Sequence, residues 1–95
     1  MVIVGRKKIE DFKTKHADAH ASIDPLIDEM DIANWTKPHD IKNKYPKASI
    51  ISGNQVVFDI RNGHYRLWVK VNYQNGIVLV KEIGTHNEYN KWKII

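Results

Sequence analysis

The sequence predicts one α+β domain over residues 1–95, on three observations. Apolar side chains recur at helical spacing in the first half of the chain, and they alternate with polar ones from Ala48 onward. Two dipeptides, Asn62-Gly63 and Asn75-Gly76, divide the alternating part and suit tight type I′ hairpin turns. A chain that begins with one strand, continues with helices and ends with a β-meander has the pattern of an α+β fold.

The N-terminal third of the chain predicts a strand followed by two helices. Residues 1–4 are apolar and mostly β-branched, which suits either an edge strand or a central one. Residues 7–16 place Ile9 and Phe12 three apart among charged side chains, the narrow stripe of a half-exposed helix. The apolar spacing then predicts a second helix over residues 19–35.

Pro25 leaves two descriptions of this second helix open. Asp24 caps a helix whose first residue is Pro25, or a longer helix bends at the proline. Because Ala19 and Ile23 continue the apolar stripe, the longer helix is favoured. Residues 36–46 have a proline near each end and predict one or two further helical turns.

The alternating part predicts a three-stranded antiparallel meander over residues 55–60, 65–73 and 77–83. A two-residue loop at Asn62-Gly63 places Asp59 opposite Arg66 and separates two faces. One face is apolar and should lie against the helices: Val56, Phe58, Ile60, Tyr65, Leu67, Val69 and Val71. The other face is polar: Asp59, Arg61, His64, Arg66, Trp68 and Lys70. The third strand is apolar on both faces, which predicts a central strand that is covered on both sides.

The formal net charge of +4 is unevenly distributed along the chain. Residues 18–36 carry five acidic groups and no Lys or Arg, so the remainder of the chain carries +9. Charge alone fits either a solvated acidic helix on an ordinary basic protein or a surface that binds a polyanion. The polar sheet face favours the second interpretation, because Arg61, Arg66 and Lys70 share it with an aromatic side chain.

Residues 84–90 follow the last predicted strand and contain the best candidates for catalysis. A two-residue loop at Asn75-Gly76 pairs Arg66 with Thr85, and a loop that is one residue longer pairs it with Gly84. Both registers bring His86 close to Arg66. A histidine transfers protons near neutral pH and an arginine clamps phosphate, so the pair suits phosphodiester cleavage. Lys70 and Lys81 lie on the same hairpin.

A purely structural explanation of the same segment is slightly favoured by the residues alone. Thr85 and Glu88 have the spacing of a helix capping box, and Tyr89 and Trp92 fit the apolar side of that short helix. Arg66 then serves only to neutralise Asp59 across the strands.

Several function classes have no support in the sequence. The chain has no Cys, which removes disulfides, thiolate catalysis and thiolate metal sites. His16 and His20 have the i, i+4 spacing of a metal pair, but there is no convincing third ligand, so we expect neither a metal nor a cofactor. The apolar runs are too short to span a membrane, and the N-terminus does not resemble a signal peptide. We therefore expect a cytoplasmic protein without a membrane partner.

Motifs along nearly the whole chain closely resemble the HigB toxins of the RelE superfamily. The most specific are NQVVFDIRNGHYRLWVKVNY at residues 54–73, IVLV at 77–80 and GTHNEY at 84–89. The resemblance continues upstream in FKTKHADA at residues 12–19, WTKPHDIK at 35–42 and KYPKA at 44–48. Family members commonly have Asn, Arg and Asp where this chain has Asp59, Lys81 and Asn90.

The resemblance implies a RelE-like fold in which two helices pack on a twisted antiparallel sheet. It also implies ribosome-dependent cleavage of mRNA and neutralisation by a helix-turn-helix antitoxin of the HigA type. Arg66 and His86 match positions where the superfamily has basic or proton-transferring groups, and Tyr89 matches the family's C-terminal tyrosine. The resemblance therefore implies that these three residues are catalytic. The RNA contacts expected beside them are Arg61, Lys70 and Lys81.

Two other classes of function compete with the toxin hypothesis. A non-catalytic RNA-binding or ribosome-binding module would use the same basic face, and an interaction subunit would act mainly through its partner. A binding module needs Arg66 and Lys70 but has no need of His86 beside them, so the sequence favours a nuclease.

Overall fold

Five strands and four helices follow one another in residues 1–94, which are the residues that the computed structural model describes. In chain order they are β1 (Val2–Val4), α1 (Arg6–Lys15), a 3₁₀ turn (Ala17–Ala19), α2 (His20–Ile32), α3 (Pro38–Lys44), β2 (Ser49–Ile51), β3 (Gln55–Ile60), β4 (Tyr65–Asn72), β5 (Ile77–Thr85) and α4 (His86–Tyr89). The α+β class is therefore confirmed. None of these helices is both long and apolar enough to cross a membrane.

The strands form a single mixed sheet in the order β1-β5-β4-β3-β2. The predicted antiparallel meander is confirmed for β3, β4 and β5, and β2 also pairs antiparallel with β3. The sheet as a whole is mixed and not antiparallel as expected, because β1 runs parallel to β5. Parallel pairing is possible here because the whole helical half of the chain lies between these two strands and serves as the crossover. The three-residue strand β2 was not expected, since Ser49 and two isoleucines show no alternation.

The helices bury one face of the sheet, and that face is the predicted apolar one. Every residue assigned to it is 8% exposed or less. Phe58 lies at its centre, with ring centroids 5.3 Å from Tyr45 and 6.2 Å from Trp35. Truncating such a buried phenylalanine to alanine typically costs about 3–5 kcal/mol, so this contact is a principal source of stability.

The longer form of the second helix is confirmed. α2 continues through Pro25, with Ile23, Leu26 and Met30 buried on its inner side. Burial of these side chains offsets the hydrogen bond that the proline cannot donate. The helix ends at Ile32, before the predicted limit, because the backbone at Ala33 is already extended.

The first hairpin has the predicted register, whereas the second differs from the prediction. Asn62 and Gly63 have φ angles of 54° and 88°, as a type I′ turn requires, and Asp59 pairs with Arg66. In the second hairpin Asn72 pairs with Ile77, so the loop has four residues instead of two. A bulge between Trp68 and Val69 then shifts the register, and Lys81 is the unpaired residue of β5.

The bulge sets the position of the residues that matter most for function. It places Arg66 opposite Gly84, which is one of the two predicted pairings. The expectation that β5 is covered on both faces is wrong: Val78 and Val80 are buried, but Leu79 is 38% exposed. α4 directly follows the C-terminal end of β5 and contacts β5 and β4. The N-terminal part of β5, which pairs with β1, is the part where Leu79 is exposed.

Candidate functional site

The candidate site is a depression where β4 begins and β5 ends, on the sheet face opposite the large helices. Its volume is about 560 Å³. Its walls come from the first hairpin turn, the start of β4 and the β5–α4 junction: Asn62, Gly63, His64, Tyr65, Arg66, Thr85, His86 and Asn87. Two of the three predicted catalytic side chains, Arg66 and His86, therefore line the same depression.

Arg66 is the centre of this site. Its Nε lies 3.4 Å from Oδ1 of Asp59, and its Nη2 lies 3.4 Å from Nδ1 of His86. Its guanidinium carbon lies 4.9 Å from the centroid of the Tyr89 ring, a distance typical of a cation–π contact. The fold thus brings together Arg66, His86 and Tyr89, the three predicted catalytic residues.

The contact with Arg66 constrains the tautomer of His86. A guanidinium has only donors, so a hydrogen bond across this contact requires Nδ1 of His86 to accept, which is the tautomer with the proton on Nε2. The imidazole is then oriented with one nitrogen engaged by an invariably charged group. Such an orientation is useful for proton transfer, because the ring nitrogens are chemically distinguished.

The predicted capping box is present and holds His86 in place. Thr85 Oγ1 accepts the N–H of Glu88 at 3.2 Å, and Glu88 Oε1 accepts the N–H of Thr85 at 2.9 Å. The hydrogen bond from the Thr85 N–H lowers the pKa of Glu88. The N–H of His86 also donates to the carbonyl of His64 at 3.0 Å. The structural explanation of this segment and the functional one are therefore compatible, since the cap positions the histidine.

Asp59 neutralises part of the Arg66 charge, as the sequence predicted. The side chains of both residues are 19% exposed, and Asp59 Oδ1 and Arg66 Nε have no hydrogen-bond partner among the described residues. A Cβ on Gly63 would lie 3.3 Å from both Arg66 Nη2 and Asp59 Oδ1. The turn glycine thus leaves room for this pair, and a phosphate that reaches Arg66 must compete with the carboxylate.

Of the three predicted RNA contacts, Lys81 lies over an aromatic ring. Its Nζ is 5.8 Å from the centroid of the Trp68 ring, on the bulged part of β5. Lys70 is exposed, but it is four residues further along β4 than Arg66, about 13 Å at the usual strand rise. It lines a separate depression together with Tyr73 and Leu79.

The expectation that Arg61 shares a face with Arg66 and Lys70 is wrong. Arg61 follows β3 with a left-handed φ of 52°, and its guanidinium forms an ion pair with Asp18. Asp18 also accepts a hydrogen bond of 2.7 Å from the hydroxyl of Tyr65, a side chain of the helix-facing side. The hydrogen bond from Tyr65 lowers the pKa of Asp18. The left-handed turn residue directs Arg61 towards the helical layer.

The sequence assigned Trp92, together with Tyr89, to the apolar side of the C-terminal helix, but it did not predict the contact with Trp68. The helix ends at Tyr89, so Trp92 lies just beyond it. Its ring lies 5.9 Å from that of Trp68 and 5.7 Å from that of Tyr89. A Cβ on Gly84 would be 3.0 Å from Cζ2 of Trp92, so the glycine in β5 makes room for the indole. The three-residue spacing of Tyr89 and Trp92 was a signal that both rings share one side of the C-terminal segment.

Within residues 1–94 no three His, Cys, Asp or Glu side chains converge in a way that would hold a metal ion.

The chain matches a family of known proteins. The family model HigB_toxin, described as the RelE-like toxic component of a toxin-antitoxin system, matches residues 19–92. That range includes Arg66, His86 and Tyr89, and it begins after β1 and α1. A search among curated proteins finds no match.

Proposed function

The chain belongs to the HigB toxin family, the RelE-like toxic components of toxin-antitoxin systems, and on that premise we propose that it is an endoribonuclease that cleaves mRNA on the ribosome. The observation that carries this proposal is the contact of Arg66 with both His86 and Tyr89 beside one solvent-accessible depression. A guanidinium, an imidazole and a phenol in contact provide charge stabilisation, proton transfer and orientation of an RNA strand.

The proposed reaction is attack of a ribose 2′-hydroxyl on the adjacent phosphorus. The bond from the 2′-oxygen to phosphorus forms and the bond to the 5′-oxygen of the next nucleotide breaks. One proton leaves the attacking hydroxyl and one is delivered to the departing oxygen. Arg66 stabilises the charge that develops on the phosphorane, His86 carries one of these protons, and Tyr89 orients the RNA by stacking or by a hydrogen bond.

The site is small and shallow, so much of the substrate positioning must come from the ribosome. Lys81 and Lys70 are proposed as RNA contacts on the same face of the sheet. Arg61 contributes only longer-range attraction, since Asp18 already engages its guanidinium.

One observation favours a non-catalytic RNA-binding or ribosome-binding module as the second candidate. Asp59 lies 3.4 Å from Arg66 and reduces the positive charge available to a transition state. A module that binds RNA weakly and reversibly tolerates this carboxylate better than a nuclease does.

Induced expression in bacteria, followed by mapping of new mRNA 5′ ends, distinguishes the two candidates. We expect growth arrest and new 5′ ends with the wild type, and a loss of cleavage of roughly a hundredfold or more with His86→Ala. His39→Ala is the matched control, because His39 is exposed on α3 in the helical layer. New ends at the wild-type rate with His86→Ala would move proton transfer to another group. Growth arrest without new ends in the wild type would favour the binding module.

The family implies an antitoxin partner, and we propose that this partner is a helix-turn-helix protein of the HigA type. It would cover the basic surface or hold the helices and so exclude the toxin from the ribosome. Co-purification with the product of a neighbouring gene tests this proposal, and failure to bind would remove its support.

A further inference from the structure

A second depression lies beyond Tyr89, and we propose that it binds one nucleobase of single-stranded RNA next to the cleaved bond. Its volume is about 470 Å³, and its walls are Ile51, Tyr89, Asn90, Trp92 and Ile94. Because Tyr89 also contacts Arg66, one ring separates this depression from the cluster around His86. The inference rests on the proposed function and specifies which part of the RNA the neighbouring surface recognises.

The walls of this depression match the chemistry of a nucleobase. Tyr89 and Trp92 are perpendicular to each other with centroids 5.7 Å apart, so one ring can stack on a base while the other contacts its edge. Asn90 ends α4 and is exposed, and its amide has both donors and an acceptor. An amide of this kind can read the hydrogen-bonding edge of a base.

One cation lies over Tyr89, and a second lies over Trp68, the ring next to Trp92. Arg66 lies over Tyr89 at 4.9 Å, and Lys81 lies over Trp68 at 5.8 Å, with Trp68 in turn packed on Trp92. Alternating aromatic rings and cations are the usual surface of proteins that bind single strands. An apolar protein side chain would fill the depression but would have no use for these flanking charges.

Contacts within the chain position Trp92 and its neighbour Trp68. The indole N–H of Trp68 donates to Gln55 Oε1 at 3.0 Å, and Gly84 provides the space that Trp92 occupies against β5. A platform ordered in advance loses little conformational entropy when a base stacks on it. This order supports a binding role beyond simple packing of the C-terminal segment.

The test measures the affinity of the full chain for short oligo(A) in a His86→Ala background, where no cleavage is expected. A second oligonucleotide has the same backbone but lacks one base. We expect Trp92→Ala to weaken binding of intact oligo(A) by roughly 5- to 150-fold, the range for loss of one stacked base, and Trp92→Phe to keep most of the affinity. The effect of Trp92→Ala should shrink for the oligonucleotide that lacks a base.

Ile50→Ala is the matched control, since Ile50 is a 40% exposed apolar side chain on the opposite face of β2. It should leave affinity unchanged. If Trp92→Ala lowers the melting temperature, Asn90→Ala replaces it, with an expected change in preference among oligo(A), oligo(C) and oligo(U).

Equal losses for Trp92→Ala with intact and base-lacking RNA, or unchanged preference in Asn90→Ala, would overturn the subsite. So would a His86→Ala protein that binds none of these oligonucleotides. The proposed nuclease function is judged separately, by the 5′ ends that the wild type produces, so the two can fail independently.

Discussion

The carboxylate of Asp59 should attenuate RNA binding, and Asp59→Asn tests this directly. The amide has nearly the same shape as the carboxylate but no charge, so the side chain still fills the space beside Gly63. The substitution leaves the full positive charge of Arg66 available to a phosphate. We therefore expect tighter binding of RNA, although the variant loses an ion pair.

The expected magnitude follows from the separation and burial of the pair. Opposite unit charges 3.4 Å apart attract by about 5 kcal/mol at an effective dielectric constant of about 20. Residual solvation reduces this value, because both side chains are 19% exposed and exposed ion pairs contribute only about 0.2–1 kcal/mol. We expect a net gain of about 1–2 kcal/mol in phosphate affinity, which is roughly 5- to 30-fold in Kd.

Fluorescence anisotropy with labelled oligo(A), in the His86→Ala background and at several salt concentrations, measures this gain. One additional phosphate contact should steepen the dependence of log K on log salt by roughly 0.7. Asp28→Asn is the control, because Asp28 is exposed on α2 and its substitution changes the net charge equally. Equal gains in both variants would show a net-charge effect, and weaker binding by Asp59→Asn would show that the carboxylate holds Arg66 in its binding position. Either result would refute the reasoning.

Two further predictions concern stability. Arg66→Ala should lower the free energy of unfolding by about 1–3 kcal/mol, because it leaves the mostly buried Asp59 carboxylate unpaired. His86→Ala, at the rim of the depression, should change this free energy by about 0.5 kcal/mol or less. Urea denaturation measures both values, and equal values would contradict the role of the ion pair. Glu88 has a lowered pKa, so its stabilisation is present above its unfolded pKa of about 4.3 and is lost as pH falls through the lower folded value. The urea midpoint of Glu88→Gln should accordingly lie below that of the wild type near neutral pH and approach it below about pH 4, and a difference that does not depend on pH would exclude this linkage.

The candidate site could be predicted only in part from the sequence. The type I′ turn and the strand alternation sufficed to place Arg66 opposite Asp59 and near His86, because both are encoded by adjacent residues. Arg61 was assigned to the wrong face, because alternation does not apply to a residue whose φ is left-handed. The structural interpretation and the catalytic one were both drawn from the same motif, and the capping box proved to be the element that positions the histidine.

The sequence by itself determined the order of helices and strands (except for β2), the buried face of the sheet and the register of the first hairpin. These depend on periodicity and turn chemistry, which act over a few residues. Only the tertiary structure decided that β1 runs parallel to β5, that Lys81 forms a bulge and that Trp92 lies beside Gly84. The β1–β5 pairing and the contact of Trp92 with Gly84 join different segments of the chain, and the bulge depends on how β4 and β5 pack in the sheet. Their free energy comes from packing of the whole fold, which no local pattern of residues records.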